Sequence, residues 1–489
     1  MDRREFLKGT AWMGAVAAAA GCMTQGSGTG TESGGTMATY ADKPFKKLRV
    51  GVVGLGRGGA AFGNLPVIPG CEITAICDLN AERIKNALDT IRDKGQKTPP
   101  KVYTGGPEEW KRLCDDPNVD LVHNSTPWEL HVPIALYAMR AGKHVVTEVP
   151  SAFTVDECWE LVETSEKLRR HCMQLENCCY GEAEMLALNL VRKGVLGEVV
   201  HGEGAYIHDL RSYNYGDFNG KKGDYSGYWN YWRLRHNVQH KGNQYTTHGL
   251  GPICQCMDIN RGDRFDYLVS LESDQHNFEA YAKATFPANS WKAQLKVAMG
   301  DMNTMLIKTK RGRSIMIQHD VSSPRPYSRI NRVTGTKGAL EGIQFGDPSG
   351  KDAYSSAVRS GCYCRFGWEE KPGAGVHAYF DEKKTEEMRR KYAHPLWAQA
   401  GELAKKMGGH GGMDFLMELR LAYCLQNGLP LDQNVYDLAS WCCLCELSEK
   451  SVRSRSASVD VPDFTRGAWE TTAPVDIGAV DIAKMGFKA

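Results

Sequence analysis

The sequence predicts an α/β protein with an N-terminal, doubly wound parallel sheet and a second, larger C-terminal domain. Two observations carry this prediction. A glycine-rich turn follows directly on an apolar, β-branched run, and further strand patterns alternate with helix patterns of about ten residues. The length of 489 residues allows about two or three domains. We expect the first domain at 48–175 and the second at 176–489.

Composition excludes several classes of protein. The chain has 60 Lys+Arg against 58 Asp+Glu, a net charge of +2, which argues against a nucleic-acid partner because phosphate binding needs a basic excess. Charged residues at 24% and hydrophobic residues at 42% are globular values and exclude wholesale disorder. No stretch reaches about 18 uncharged apolar residues, so a multi-span membrane protein is excluded as well. A globular enzyme is favoured.

The N-terminus predicts export. Arg3-Arg4 precedes Phe-Leu-Lys and a short apolar run at 11–20, which is the order of a twin-arginine signal. The run ends in Ala-Ala-Gly-Cys22, similar to a lipoprotein cleavage box, so we expect a signal at 1–22 and a possible lipid anchor at Cys22. Residues 23–47 begin rich in Gly, Ser and Thr and predict a flexible linker. The expected location is the periplasm, free or as a membrane-anchored lipoprotein.

The first strand pattern opens a nucleotide site. Leu48–Val53 is an apolar run, and Gly54, Gly56 and Gly59 after it form G-x-G-x-x-G. Glycines there allow a tight turn and close approach of backbone amides to a pyrophosphate. A second strand pattern ends at Asp78, which is 78 − 59 = 19 residues beyond the last glycine. A carboxylate at that position accepts hydrogen bonds from ribose hydroxyls and repels a 2′-phosphate, so it predicts NAD rather than NADP.

The α/β rhythm continues beyond Asp78. Val119–His123 and Lys143–Glu148 are strand patterns, and a helix pattern at 132–141 lies between them. Ligands of parallel sheets lie at the carboxyl ends of the strands. The residues from Thr126 to His131, together with Glu148, are therefore expected to line the dinucleotide.

From Leu48 to about Gln174 the chain resembles the glucose–fructose oxidoreductase / inositol dehydrogenase / MocA superfamily, whose first domain is a Rossmann fold. The resemblance lies in the glycine turn, Asp78, Thr126-Pro127 with His131, and the segment Ala141–Pro150. Ordinary members have a lysine where this chain has Val149, which carries no charge and donates no proton. The usual Asp and His of the dehydrogenases fall near His248 and Pro252. Both departures argue against simple dehydrogenase turnover.

Longer motifs resemble glycoside hydrolase family 109. They are Asn177–Gly181, His201–Arg211, Asn230–Arg233, Gly242–Pro252 and Gly408–Phe415. The resemblance covers the chain to about Trp441. It implies an NAD-dependent α-N-acetylgalactosaminidase that removes terminal α-linked N-acetylgalactosamine with retention. It also implies a C-terminal α+β domain with an open, mostly antiparallel sheet, and a homodimer is expected by analogy with the superfamily.

The resemblance also assigns site residues. It implies Tyr245 and His248 as catalytic residues. Together with the glycine turn and the strand ends, it gives as cofactor residues Gly54, Gly56, Arg57, Gly58, Gly59, Asp78, Thr126, Trp128, Glu129, Leu130, His131, Glu148, Val149, Asn177 and Tyr245. The implied substrate residues are Tyr206, Arg233, Tyr245, Thr246, Thr247, His248 and Tyr327. For His208, Asp209 and His410 a structural role stays open beside a functional one.

Two compositional features bear on this site. Residues 206–245 hold 10 aromatic side chains in 40 residues, and the chain average of 9% would give about four, so a sugar-binding surface is expected. The 16 cysteines, by contrast, show no zinc-finger spacing, and no metal site is predicted. Those at Trp441–Cys445 lie in an apolar context and are expected to be small core side chains.

The predicted mechanism uses NAD as a tightly bound catalyst. Conventional glycosidases use two carboxylates about 5 Å or 6.5–9.5 Å apart, and NAD-dependent enzymes are the exception. Hydride would leave C3 of the sugar, the ketone would acidify the C2 proton, elimination would break the bond at C1, and water and hydride would then return. His248 suits the proton transfers, because an imidazole titrates near neutral pH, whereas the phenol of Tyr245 needs a nearby positive charge to act as a base.

Two alternatives remain open at the level of sequence. One is an exported sugar oxidoreductase of the glucose–fructose oxidoreductase type that keeps its nicotinamide cofactor. The other is a surface-tethered glycan-binding protein with a relict nucleotide fold. Val149 in place of lysine argues against the first, and loss of activity on His248→Ala would argue against the second.

Overall fold

The computed structural model describes residues 35–56, 60–216, 227–343, 363–475, 477–478 and 480–487. The predicted signal at 1–22 with Cys22, the linker up to residue 34, and the cofactor residues Arg57, Gly58 and Gly59 lie outside these described residues.

The first sheet is parallel throughout and has six strands in the order β3-β2-β1-β4-β5-β6. The strands are β1 (Leu48–Val53), β2 (Cys71–Cys77), β3 (Lys101–Tyr103), β4 (Leu121–Asn124), β5 (His144–Thr147) and β6 (Cys172–Gln174). The helices are α1 (Ala60–Asn64), α2 (Ala81–Asp93), α3 (Glu109–Cys114), α4 (His131–Arg140) and α5 (Val155–Leu168). The chain order reverses at β1, between its neighbours β2 and β4, where doubly wound folds bind their ligand. The prediction of an N-terminal, doubly wound parallel sheet is confirmed.

The second sheet has eight strands in the order β13-β12-β11-β7-β10-β9-β8-β14. Its strands are β7 (Val199–Ile207), β8 (Phe265–Glu272), β9 (Asn303–Thr309), β10 (Ser314–Asp320), β11 (Arg332–Gly335), β12 (Gly338–Ile343), β13 (Tyr363–Trp368) and β14 (Val459–Asp460). Only the β7–β10 pair is parallel among the pairings of this sheet. The prediction of an open, mostly antiparallel sheet is confirmed.

Ten helices of the described residues accompany this sheet. They are α6 (Glu182–Arg192), α7 (Arg211–Tyr215), α8 (Trp232–Gln239), α9 (Thr247–Cys256), α10 (Asn277–Thr285), α11 (Glu382–Lys391), α12 (Pro395–Met407), α13 (Met413–Asn427), α14 (Val435–Cys442) and α15 (Leu444–Arg453). No helix within the described ranges is both long enough and apolar enough to cross a membrane.

Local sequence fixes where several helices begin. Asn80 caps α2 by accepting hydrogen bonds from the amides of Glu82 and Arg83, and so holds the start of that helix just beyond Asp78. Thr154 and Glu157 form a reciprocal capping box at α5. Such caps typically contribute about 1 kcal/mol each, because they satisfy amides that have no partner inside the helix.

The C-terminal half returns to the first sheet. Helix α13 packs on β1, and the buried Glu418 of α13 lies 3.0 Å from Nε2 of His123 on β4. The amide of Phe45 donates to the carbonyl of Leu425 in the same helix. The two sheets are thus joined by buried contacts as well as by the chain connection.

The cysteines of the described residues are free thiols, and all of them except Cys71 are buried. Cys442, Cys443 and Cys445 belong to the hydrophobic core, as predicted from their apolar context. Burial raises the pKa of the Cys445 thiol to about 12. These side chains therefore act as small apolar groups that stay protonated at neutral pH.

Candidate active site

A cavity of about 1250 Å³ opens at the carboxyl end of the first sheet and extends over β7, α8 and α9. Sites for small ligands usually measure about 300–1,000 Å³, so this volume suits a dinucleotide together with a sugar. The predicted residues on its wall are Gly54, Gly56, Asp78, Thr126, Trp128, Leu130, His131, Glu148, Val149, Asn177, Tyr206, Arg233, Tyr245 and His248. We call the part of the cavity that is lined by residues at the ends of β1 to β5 the nucleotide half. The part that is lined by residues of β7, α8 and α9 is the sugar half.

The glycine turn begins where β1 ends. Gly54 has φ +85°, and a Cβ at this position would lie 2.5 Å from the carbonyl oxygen of Ser125. Only glycine fits both the left-handed backbone and this close approach. The turn therefore lies directly against the end of β4, and its backbone faces the cavity.

Asp78 stands at the end of β2 with both carboxylate oxygens held. One oxygen accepts from the amide of Leu55 and the other from the amide of Asn80, each at 2.8 Å. The guanidinium of Arg83 lies 3.8 Å from the carboxylate. Each oxygen keeps a second lone pair, so the carboxylate can still accept from ribose hydroxyls.

Glu148 follows β5 and is half-buried on the cavity wall. Burial raises the pKa of this carboxyl to about 7, against the opposing effect of His123. The ring of His131 lies between two carbonyl oxygens, 2.8 Å from those of Thr126 and Pro150. It joins the chain after β4 to the chain after β5, and so holds the two strand ends together.

A backbone-to-backbone crossing builds the sugar half. A Cβ on Gly204 of β7 would lie 2.0 Å from the carbonyl oxygen of Gly249 in α9, and one on Gly249 would lie 2.3 Å from the amide of Ala205. Glycine is required at both positions, because any side chain would drive the helix off the strand. The crossing places Tyr206 and His248 side by side, with ring centroids 5.3 Å apart.

His248 is paired with a buried carboxylate. Its Nδ1 lies 2.7 Å and 3.0 Å from the two carboxylate oxygens of Glu176, whose side chain is fully buried. Burial opposes ionisation of Glu176, but the neighbouring His248 outweighs it and lowers the pKa of that carboxyl below its ordinary value. The ionised carboxylate accepts the Nδ1 proton, which leaves the Nε2 of a neutral imidazole as the basic nitrogen.

Tyr245 lies over the same nitrogen. Its hydroxyl is 3.5 Å from Nε2 of His248, and its ring stacks on that of Tyr206 with centroids 4.4 Å apart. Burial and Tyr206 raise the pKa of the Tyr245 phenol well above its ordinary value, although Arg233 acts in the opposite direction. The phenol therefore stays protonated, and it acts as a donor rather than a base.

Arg233 is a buried cation enclosed by aromatic rings. Its guanidinium carbon lies 5.0–5.6 Å from the ring centroids of Trp128, Tyr206, Tyr228 and Tyr245. One nitrogen donates to the Tyr228 hydroxyl at 3.0 Å, whereas Nε and Nη2 are buried with no acceptor among the described residues. Unmet donors on a cavity wall are suited to the oxygens of a sugar.

The backbone before α8 is strained. Asn230 and Tyr231 both have φ of +52°, a left-handed conformation that costs about 1–3 kcal/mol per residue. The guanidinium of Arg235 donates to the carbonyl of Asn230 and helps to hold it. This turn sets the start of α8 and thereby directs Arg233 into the cavity.

A second polar network borders the nucleotide half. The side-chain amide of Asn177 donates to one carboxylate oxygen of Asp414 at 2.6 Å, and Nδ1 of His410 lies 2.7 Å from the other oxygen. Asp414 raises the pKa of His410. His208 and His410, for which the sequence left a structural role open, both line the cavity, whereas Asp209 pairs with Arg211.

Four predicted residues are not on the cavity wall. Thr246 donates to the carbonyl of Trp441 and anchors the start of α9, and Thr247 is buried beside it. Glu129 lies with its carboxylate 4.0 Å from Arg235. Tyr327 packs its ring against those of Tyr206 and His208, behind the wall. These side chains support the cavity without lining it.

Sequence reasoning missed Glu176, Tyr228 and Asp414. Glu176 lies two residues beyond the end of β6, so the strand-end rule that predicted Glu148 would have found it too. Tyr228 lies in the aromatic-rich segment and had no distinguishing spacing. The pairing of Asp414 with His410 had an i,i+4 signal within Gly408–Phe415.

One group among the described residues brings metal-ligand atoms together: Glu176, Cys178 and His248, with a ligand atom of each within 4.8 Å of the others. The sequence predicted no metal site, because its Cys-x-Cys pairs, Cys254/Cys256 and Cys362/Cys364, have no His or Cys partner at zinc-finger spacing.

The nucleotide half fits NAD. The turn at Gly54 excludes any side chain, Asp78 keeps acceptor capacity at the end of β2, and the cavity between them is continuous with the sugar half. These are the features that recognise a pyrophosphate and a ribose.

Two family models match the chain. Residues 48–175 match the oxidoreductase family with an NAD-binding Rossmann fold, and residues 180–471 match the C-terminal domain of glycosyl hydrolase 109. The resemblances predicted from the motifs are thereby confirmed.

Similar proteins cover nearly the whole chain. "Glycosyl hydrolase family 109 protein 2" of Shewanella sp. (strain ANA-3) is 43% identical over 480 residues, 97% of this chain and 99% of its own. An "Alpha-N-acetylgalactosaminidase" of Bacteroides fragilis is 45% identical over 431 residues, 88% of this chain and 95% of its own. A solved levoglucosan dehydrogenase, in complex with NADH and levoglucosan, aligns with a TM-score of 0.58 at 17% identity, over 85% of this chain and 100% of its own. At that identity the last likeness shows the fold alone.

Proposed function

The chain belongs to glycosyl hydrolase family 109, and we propose that it removes terminal α-linked N-acetylgalactosamine from glycans with retention, using bound NAD that is regenerated in each turnover. One observation carries the proposal: Tyr245 and His248, with Glu176 buried behind His248, line a cavity that is continuous with the NAD-binding half. Acid/base groups for a sugar thus lie beside a site for a redox cofactor.

NAD, when bound, supplies reversible hydride transfer at C3 of the sugar. The turn at Gly54 and the carboxylate of Asp78 would hold its pyrophosphate and ribose. Val149 is buried in the same apolar cluster as Trp128, Tyr206 and Tyr245, where it offers no charge and no proton. The proton transfers therefore fall to residues of the sugar half.

His248 is the base that removes the proton from C2 of the sugar. A ketone at C3 makes the C2 proton acidic, and Nε2 of His248 removes it while the bond between C1 and the leaving oxygen breaks. Glu176 accepts from Nδ1 throughout and stabilises the imidazolium that forms. The proton on Nε2 exchanges with solvent while the elimination product is bound. Water then adds its hydroxyl to C1, its proton goes to the departed oxygen of the leaving group, and His248 delivers a proton to C2.

Arg233 and Tyr206 orient the sugar. The two unmet donors of Arg233 fit sugar hydroxyls or the acetamido oxygen, and the aromatic rings around them exclude water. In such a dry setting a hydrogen bond from a charged donor contributes more than it does in water. These hydrogen bonds would hold the sugar with its C2 atom next to Nε2 of His248.

The decisive experiment is hydrolysis of a p-nitrophenyl α-N-acetylgalactosaminide in deuterated water. We expect nitrophenol without added NAD, α-configured product, and deuterium at C2 of the released sugar. Hydrolysis with no deuterium at C2 would overturn the elimination mechanism. No hydrolysis, together with NADH formation on free sugars, would favour a sugar oxidoreductase instead.

We propose further that the protein is exported with NAD already bound. Twin-arginine export carries folded proteins, and a cofactor regenerated in each cycle needs no external supply. The support is the motif at Arg3-Arg4 and the box ending at Cys22. Fractionation of cells tests this: we expect NAD-loaded enzyme in the envelope, and release from the membrane on Cys22→Ser. Cytoplasmic enzyme would contradict export.

We propose a homodimer formed through the open face of the second sheet. Leu271 on β8 and Leu306 on β9 are 67% and 50% exposed, and Val269 and Met316 lie opposite Leu306 on its two neighbouring strands. Such an apolar patch on a sheet face fits a self-complementary contact. We expect Leu306→Glu to give a monomer by size-exclusion chromatography, and Leu429→Glu, at another exposed leucine, to leave the dimer intact. A wild-type monomer would refute the dimer.

A further inference from the structure

The donor atoms behind His248 are of three different kinds. Glu176 offers a carboxylate oxygen, Cys178 a sulfur and His248 its Nδ1, and these atoms lie within 4.8 Å of one another. Glu176 and Cys178 flank Asn177 in one short turn, where the Glu176 carboxylate accepts from the Cys178 amide at 3.0 Å. His248 comes from the first turn of α9. Oxygen, sulfur and imidazole nitrogen form a donor set that zinc binds in proteins.

We propose that a thiophilic divalent cation, Zn²⁺ above all, binds between Glu176, Cys178 and His248, with water as a fourth ligand, and reversibly inhibits the enzyme by taking Nδ1 of His248. The inhibition rests on the proposed function, whereas the binding does not.

Charge favours this site. The carboxylate of Glu176 and the thiolate of Cys178 balance the two charges of the cation, and the neutral imidazole adds none. The complex is therefore neutral in a region where Glu176 is fully buried, so burying the cation leaves no net charge to solvate.

Geometry requires small movements. Tetrahedral zinc would separate its protein ligand atoms by about 3.4–3.6 Å. The present separation between Nδ1 of His248 and the Glu176 oxygen is 2.7 Å, and the group as a whole lies within 4.8 Å. Small side-chain rotations would bring the three ligand atoms to these separations. Glu176 and Cys178 are fully buried. Asn177 between them and His248 beside them line the cavity, so a cation would enter from the cavity past the ring of His248.

Binding would disable the base. The thiol proton of Cys178 leaves to solvent as the sulfur–zinc bond forms, and the Nδ1 proton of His248 moves to Nε2 as nitrogen bonds to zinc. One proton is released for each cation bound. The nitrogen that faces Tyr245 and the cavity is then protonated and cannot accept a proton from a sugar. A metal at this position is thus inhibitory.

The test compares Cys178→Ala with Cys179→Ala in tag-free protein loaded with NAD. Cys179 is the adjacent buried thiol and is not part of the donor group, so it is a matched control for folding and for loss of a cysteine. We expect micromolar free Zn²⁺ to inhibit the wild type and Cys179→Ala alike, with recovery on adding EDTA. Cys178→Ala should keep its activity and need at least about tenfold more Zn²⁺ for half inhibition.

A binding measurement separates this proposal from the glycosidase proposal. Co²⁺ bound to thiolate absorbs in the near ultraviolet, so one equivalent should give that band with wild type and with Cys179→Ala but not with Cys178→Ala. This readout holds even if no glycoside is cleaved. Equal Zn²⁺ sensitivity of Cys178→Ala and the wild type, or no thiolate band with wild type, would overturn the proposal.

Discussion

The nucleotide half and the sugar half of the cavity are built in different ways. In the nucleotide half, function lies at the ends of parallel strands: a glycine after β1, Asp78 after β2 and Glu148 after β5. In the sugar half, function depends on side chains set by a helix crossing and a strained turn, with Arg233 among aromatic rings and His248 on Glu176. Topology alone determines the first arrangement, whereas long-range packing determines the second.

The two halves also differ in buried charge. The nucleotide half presents carboxyl groups to its ligand, and burial keeps Glu148 protonated to about pH 7. The sugar half presents the Arg233 cation with two unmet donors. Substitutions should therefore separate the halves, with losses of cofactor on one side and losses of sugar chemistry on the other.

His248→Ala should have the largest effect and should be confined to the sugar half. We expect kcat to fall about 10³-fold, because general acid/base catalysis contributes about 10²–10⁴-fold. The NAD released on denaturation should equal that of the wild type. Measuring nitrophenol release and bound NAD on the same preparation checks both, and a parallel loss of NAD would show that the halves are not separable.

Arg233→Lys should weaken sugar binding while sparing the cofactor. Lysine keeps the charge but loses the planar fork, so we expect kcat/KM to fall about 10- to 100-fold, largely through KM. Arg311→Lys, at an exposed arginine whose side chain donates to the Gly262 carbonyl, is the control and should match the wild type. An unchanged KM would show that Arg233 does not touch the sugar.

Glu176→Gln should lower kcat about tenfold or somewhat more and leave KM nearly unchanged. The imidazolium of His248 forms only during the chemical step, and it then lacks its carboxylate partner. A purely structural role would reduce the melting temperature and raise KM as well. Steady-state kinetics with a parallel melting curve distinguishes the two.

Asp78→Asn should act on the nucleotide half alone. We expect about tenfold weaker NAD binding, because ribose hydroxyls lose a charged acceptor, with kcat unchanged at saturating NAD. Titration of the NAD-free protein, followed by fluorescence quenching, measures the affinity. A lower kcat at saturation would mean that Asp78 also affects the chemistry.

Glu148→Gln should give the smallest effect, which is visible in stability rather than rate. Burial raises the pKa of Glu148 from its ordinary value of 4.5 to about 7, so the folded state holds this proton more tightly than the unfolded state does. That stabilisation is complete below about pH 4.5 and is lost as pH rises towards 7. In NAD-free protein, the variant should melt a few degrees above the wild type at pH 8 and close to it at pH 5. The same difference at both pH values would contradict an ionising Glu148.

The same contrast explains what sequence could predict. Strand-end rules found Gly54, Asp78 and Glu148 from local patterns, since parallel strands end at one edge. No local pattern places Glu176 under His248, because the two are 72 residues apart and meet only when α9 crosses β7. The family resemblance supplied Arg233 and Tyr245. It also named Thr246, Thr247 and Tyr327, whose side chains lie behind the cavity wall.

The Gly204–Gly249 crossing has a consequence for changing what the enzyme accepts. The main chains of β7 and α9 meet there, so neither glycine leaves space for a side chain, and the crossing holds Tyr206 beside His248. Redesign of glycan preference is thus confined to side chains that project farther out, such as Tyr213 and the exposed indole of Trp229. A library directed at those two positions would retain the reacting centre while varying the sugar attached to it.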